Sequence, residues 1–275
     1  MSRQFPSEEL LAKVIIDLDD FLPYLVLVGG WIPYLYAKYI WPENIREKAA
    51  KNTALPFSPQ AVITTTDLDF GVMVTPYSGD ESIAERIQKL GYAQRHVSMD
   101  RPFPFVPVVK GRGENEKAEV EFITVLDPPE NLREKLVGKQ IKLNTIPYFG
   151  ILLKSPITVK LFSCKVQLPT ESTFIFHKLL TFVERDNKEK LKKDLYYSYY
   201  MLRYSPDKDA LISQIQGFLR GKKEGEMAVN NIKQYFKIED DKGPVLIEQE
   251  NGPDNFISNI RKDAFERITK LLSKR

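Results

Sequence analysis

Cysteine and histidine are nearly missing from this 275-residue chain: Cys164 is the single thiol, and His96 and His177 are the two imidazoles. One cysteine excludes an internal disulfide and suits a reducing compartment, so a cytoplasmic protein is expected. Cys164 falls in the alternating run KLFSCKVQL, which marks a core position rather than a nucleophile. Two histidines leave little for a His-based zinc site, and no Ser-His-Asp arrangement stands out. Long apolar runs are also missing. The longest, from Ile146 to Phe162, is interrupted by Lys154 and Pro156 and is no bilayer span, so no membrane partner is expected. The opening residues MSRQFPSEEL have neither the apolar core nor the cleavage site of a signal peptide. Internal repeats and low-complexity segments are absent. Charge of one sign is scarce as well: the net charge of +3 is too small to define a nucleic-acid binder.

What is present is a soluble globular composition, 43% hydrophobic and 28% charged, with length for one large or two ordinary domains. The informative stretch is TTTDLDFGV, residues 64–72. Leu68, Phe70 and Val72 alternate with Asp67 and Asp69, which predicts a strand with both acids on one side, about 7 Å apart at Cα. At an effective dielectric near 20, two such anions repel by roughly 2 kcal/mol. Two surface acids at a solvated strand end would tolerate this. A divalent cation such as magnesium, held by carboxylates and substrate phosphates, would relieve it.

Upstream, SEELLAKVIIDLDD reads as a helix capped by Ser7, with Asp17, Asp19 and Asp20 on a wet face. Pro23 ends it, and LVLVGGW (residues 25–31) reads as a buried strand breaking at Gly29 and Gly30 before a helical run with Pro33 in its first turn. Strand, paired glycines and helix make either a tight turn or a place where backbone N–H groups meet a phosphate. It is not a dinucleotide fingerprint, because no third glycine follows at the required spacing. Residues 41–60 read as helix then loop. DESIAERIQKLGY is an amphipathic helix closed by Gly91. The strands FPFVPVVK and AEVEFITVL flank the turn GRGENEK, and the second places Glu119 and Glu121 on one face, as solvent-facing acids or with Glu121 as a third metal ligand.

After a short helix at PENLREKLVG come strands broken by Gly150, Pro156 and Pro169. From there the chain is helical and lysine-rich. ESTFIFHKLLTFVER is apolar on one side, with Lys178 and Arg185 near one face. In KEKLKKDLYYSYYML the expected buried stripe is Leu191, Leu195, Tyr199 and Leu202. Asp194 stands on a neighbouring face, where an exposed acid would pair with Lys190. Three further helical segments are expected after Pro206. The composition shift near Pro169 divides the chain into an α+β domain, residues 1–168, and a helical domain, residues 169–275.

The order of these features resembles the DNA polymerase β-type nucleotidyltransferase superfamily, whose pattern is h-G-[GS], then D-x-[DE], then h-[DE]-h. Within it, the abortive-infection AbiE-type toxin nucleotidyltransferases look most similar: their late hK and KD motifs match Lys178 in HKLL and Asp194 in KKDLYY. The resemblance covers roughly residues 25–200. Two departures stand out: a long gap from Gly30 to Asp67, and Ile63 where the toxin group carries arginine.

The resemblance implies a mixed β-sheet flanked by helices, followed by a helical domain contributing to the active-site cleft. It further implies two magnesium ions (or manganese) held by Asp67, Asp69 and Glu121, with a nucleoside triphosphate as co-substrate. Gly29 and Gly30 would cradle the triphosphate and Lys178 would counter its charge. Asp194 would position the acceptor or the lysine, or act as a base. The acceptor hydroxyl would belong to tRNA, a protein or a small molecule. The tripeptide Asp69-Phe70-Gly71 also spells a protein-kinase motif, but a nucleotide-binding lobe and an H-R-D-type loop do not precede it. Two other classes remain. One is a non-catalytic nucleotide- or partner-binding protein on the same fold. The other is an antitoxin-like or scaffolding protein that offers RNA or a partner protein the lysines of 188–193 and the basic KLLSKR tail.

Overall fold

The computed structural model describes residues 8–41, 65–98, 101–111, 116–130, 132–251 and 258–273. The chain forms two compact units, one from Met1–Ile32 and Thr64–Thr170, the other from Pro33–Ile63 and Glu171–Arg275. The architecture is mixed: a β-sheet with both parallel and antiparallel neighbours, and a C-terminal region made of helices.

In the first unit, LVLV folds as β1 (Leu25–Val28), buried along its whole length as a continuous apolar run in a central strand should be. Around it stand β2 (Leu68–Val72), β3 (Ala93–Ser98), β4 (Arg101–Lys110), β5 (Lys117–Thr124), β6 (Leu143–Thr145), β7 (Ile157–Leu161) and β8 (Cys164–Leu168). The order across the sheet is β3-β4-β5-β2-β1-β8-β7, with β6 paired to β5. β1 runs antiparallel to β2, whereas β2 and β5 are parallel. Apolar alternation sets that last register: Phe70 lies opposite Phe122, their rings stack at 6.1 Å, and Thr124 Oγ1 donates to the Val72 carbonyl.

Helix α1 (Glu8–Asp17) buries Leu10, Leu11, Val14 and Ile15. The cap expected at Ser7 lies outside the described residues, as do the segment expected to be helix then loop beyond Trp41 and the centre of the turn between β4 and β5. A single turn, α2 (Ile32–Leu35), follows the paired glycines and continues as a wider π-type turn, Tyr36–Ile40. α3 (Ile83–Lys89) opens on a reciprocal cap between Ser82 and Glu85, and Gly91 closes it at φ 73°. Two local features differ from the sequence expectation. β3 is an added strand beside β4, and Gly150 does not break a strand but begins a helical turn, α4 (Gly150–Leu153).

The helical unit contains α5 (Glu171–Thr181), α6 (Lys188–Tyr204), α7 (Lys208–Leu219), α8 (Lys222–Tyr235), α9 (Lys242–Asn251) and α10 (Ile260–Lys270). Among the described residues four helices follow Pro206 where the pattern suggested three; Gly221, at the N-cap of α8, separates it from α7. α5 packs against α6, α7 and α8, and is buried from Ser172 to Thr181 rather than along one stripe. α6 packs on α9 and α10 and is buried from Asp194 to Leu202. No helix among the described residues is long and apolar enough to cross a membrane.

Candidate active site

Three neighbouring strands bring the predicted acids of the sheet unit together. In the cross-strand register Val28 lies opposite Asp69, and Asp69 lies opposite Glu121. Cross-strand partners share a face, so the two carboxylates project side by side. Asp67 precedes β2, and the half-buried Asp67 and Asp69 flank a buried Leu68, which puts both acids on that same side.

The chain leaves β1 at Gly29, whose φ of 78° lies in the left-handed region. A Cβ there would stand 2.0 Å from Asp69 Oδ2. Gly29 therefore serves two local needs, a backbone turn and close approach to a carboxylate. Gly30 is buried in the 3₁₀ turn Gly29–Trp31 that leads into α2. The paired glycines and the Asp-x-Asp stretch thus meet at the end of β1.

Side chains not singled out in the sequence hold these acids. Thr66 Oγ1 donates to Asp67 Oδ1 at 3.2 Å, and the Asp67 N–H donates to Thr65 Oγ1 at 3.2 Å. Asn144, on β6, donates through Nδ2 to Glu121 Oε2 at 3.3 Å. Glu119 is engaged differently, in an ion pair with Arg95. That distinguishes it from Glu121, which sits opposite Asp69.

Among the described residues no group of three His, Cys, Asp or Glu side chains converges tightly enough to hold a metal ion. The chemistry of the donors nevertheless fits magnesium or manganese. Asp67, Asp69 and Glu121 offer only hard oxygen ligands, and magnesium is commonly held by one or two carboxylates completed by substrate phosphates and water.

Lys178 and Asp194 belong to the helical unit, where they form a buried ion pair with each other. Arg185 Nε donates to the second oxygen of Asp194 at 2.8 Å. The side chains of Lys178 and Asp194 are 9% and 5% exposed, so Asp194 is not an exposed acid paired with Lys190. Burial alone would raise the Asp194 pKa, but the Lys178 and Arg185 charges outweigh it and hold the carboxyl below its ordinary value. Burial and the adjacent Lys178 charge push His177 down to about 3, so it is neutral at physiological pH. Arg185 is the participant the motif order misses; its signal was the shared face with Lys178.

No protein-family model matches the chain, and no curated protein matches it. A solved structure similar to it is that of an antigenic nucleotidyltransferase-like protein from Paracoccidioides brasiliensis. The two share 14% identity over 83% of this chain and 89% of that one, with a TM-score of 0.41.

Proposed function

We propose that this chain is a metal-dependent nucleotidyltransferase that moves a nucleoside monophosphate from a nucleoside triphosphate to an acceptor hydroxyl. The observation that supports this most directly is the Asp69–Glu121 cross-strand pair, set against a glycine turn that leaves no room for a side chain. Like charges directly opposite one another destabilise a sheet. Such a pair is retained where function uses the field it creates.

In this reaction the acceptor oxygen bonds to the α-phosphorus, the bond to the bridging oxygen breaks, and pyrophosphate departs with that electron pair. Asp67, Asp69 and Glu121 would hold magnesium or manganese. When bound, the metal supplies Lewis acidity to the attacking and leaving oxygens. Gly29 and Gly30 would present backbone N–H groups to the phosphates. The acceptor hydroxyl loses its proton to a carboxylate of the cluster. In the helical unit Lys178 is assigned to phosphate charge; its ammonium is held by Asp194, whose second oxygen accepts from Arg185.

The alternative is nucleotide or partner binding without catalysis on the same fold. One experiment separates the two. Purified protein is incubated with each of the four labelled triphosphates, magnesium or manganese, and cellular RNA or protein. Transfer by the native chain that vanishes in Asp67→Asn and Asp69→Asn supports the enzyme. Triphosphate binding with no transfer to any acceptor, itself included, supports the binding protein. Equal turnover in both variants overturns the site.

A further inference from the structure

Two arginines from two helices of the helical unit close on one carboxylate. Arg203, near the end of α6, donates to Asp263 Oδ2 on α10, and Arg267 Nε donates to both Asp263 oxygens at 2.9 Å. Tyr199 Oη donates to the same Oδ2 at 2.8 Å, so Asp263 is fully engaged. Lys208 opens α7 beside these residues. Partial burial, followed by the charges of Arg267, Arg203 and Lys270, lowers its pKa, and the Asp263 carboxylate opposes this. Acids also accompany these cations: Asp209, whose carboxylate is 3.8 Å from the Lys270 ammonium, Asp207, which caps α7 by accepting from the Ala210 N–H, and exposed Glu266 beside Arg267 in the chain. The Arg203 guanidinium also lies 5.6 Å from the centre of the half-buried Tyr204 ring.

Two arginines fixed by a shared carboxylate form a rigid base, and Lys208 and Lys270 are exposed. A rigid guanidinium pair suits phosphate oxygens, and an aromatic face next to an arginine suits a nucleobase. The large exposed apolar side chains described in this unit, Tyr39, Phe218 and Ile238, are not part of the cluster, which argues against a lipid surface.

We propose that the surface formed by Arg203, Lys208, Arg267 and Lys270, with Tyr204 at its edge, binds the phosphate backbone of single-stranded RNA. This goes beyond the assigned chemistry and does not depend on it. The test uses the full chain and a labelled single-stranded RNA of about 20 nucleotides, followed by fluorescence anisotropy over a range of salt concentrations. In the double variant Lys208→Gln/Lys270→Gln, which keeps the Arg203–Asp263–Arg267 bonds, binding weakens by roughly tenfold at 0.1 M salt. The slope of log K against log salt becomes shallower by about 1.4, two contacts at about 0.7 each. Circular dichroism melts of the variant match the native protein.

Three results overturn the proposal: no RNA binding by the native chain, the same affinity and slope in the double variant, or poly-glutamate displacing RNA at equal charge, which makes the partner an acidic protein. Asp69→Asn is measured in parallel. Retained RNA binding with lost transfer supports both assignments, whereas lost RNA binding with native transfer in the double variant leaves the nucleotidyltransferase intact.

Discussion

The carboxylate of Asp69 occupies the space that a side chain on Gly29 would need, with Oδ2 only 2.0 Å from the position of that missing Cβ. Gly29→Ala therefore meets two penalties, a left-handed backbone costing about 1–2 kcal/mol and a collision with Asp69. Asp69→Ala removes the carboxylate from that space, leaving a contact of 3.2 Å with its Cβ and the backbone strain. In urea denaturation, Gly29→Ala should cost less in the Asp69→Ala background than alone, with a coupling of about 1 kcal/mol. Additive costs would mean that the turn and the acid are energetically independent.

Glu121→Gln removes one charge from the Asp69–Glu121 pair while leaving an oxygen for Asn144. Stability of the ligand-free protein should rise by about 0.5 kcal/mol while nucleotidyl transfer falls to background. A gain in melting temperature together with lost transfer is the expected pair of outcomes. Unchanged transfer would remove Glu121 from the site.

The Lys178–Asp194–Arg185 group predicts an asymmetry. Asp194→Ala leaves two cations without their carboxylate and should cost about 3–5 kcal/mol. Lys178→Met should cost less, because Arg185 still faces Asp194. Chemical denaturation of both variants measures the difference, and a larger loss for Lys178→Met would reverse the assigned dependence.

His177 gives the protein a pH dependence. Its folded pKa is pushed down to about 3, whereas the unfolded imidazole titrates near 6.5, so the unfolded chain takes up a proton that the folded one refuses. This contribution to stability is complete above about pH 6.5 and falls by about 1.4 kcal/mol per pH unit as pH drops toward 3. Asp194, also depressed, adds a further loss below about pH 4. His177→Gln should flatten the pH profile of urea midpoints between pH 6 and about 4 and leave the more acidic limb.

The strand ending in paired glycines is legible as a short apolar run closed by its turn, and the Asp-x-Asp strand and the strand carrying Glu121 as local patterns of period two. What escaped the sequence was decided by distant pairing. Asn144 meets Glu121 only because β6 lies beside β5, and nothing in the tripeptide LNT announces that neighbour. The exposed alternative for Asp194 fails for a related reason. Its stretch of α6 reads as a single stripe, since tyrosines count as amphipathic, yet other helices surround it and bury Tyr196, Tyr197, Tyr199 and Tyr200 alike. The buried acid then required cations, and Lys178 and Arg185, one on α5 and one just beyond it, supply them.

The strand order has a consequence for how the protein is made. β1 lies between β2 and β8, so a segment emerging early from the ribosome waits for Leu168 before both of its edges are covered. Any nascent chain halted sooner exposes an apolar ribbon with one row of backbone groups unpaired, open to association with other chains. Folding of this unit consequently waits for β8, and truncation ahead of that strand should yield insoluble product rather than a smaller working domain.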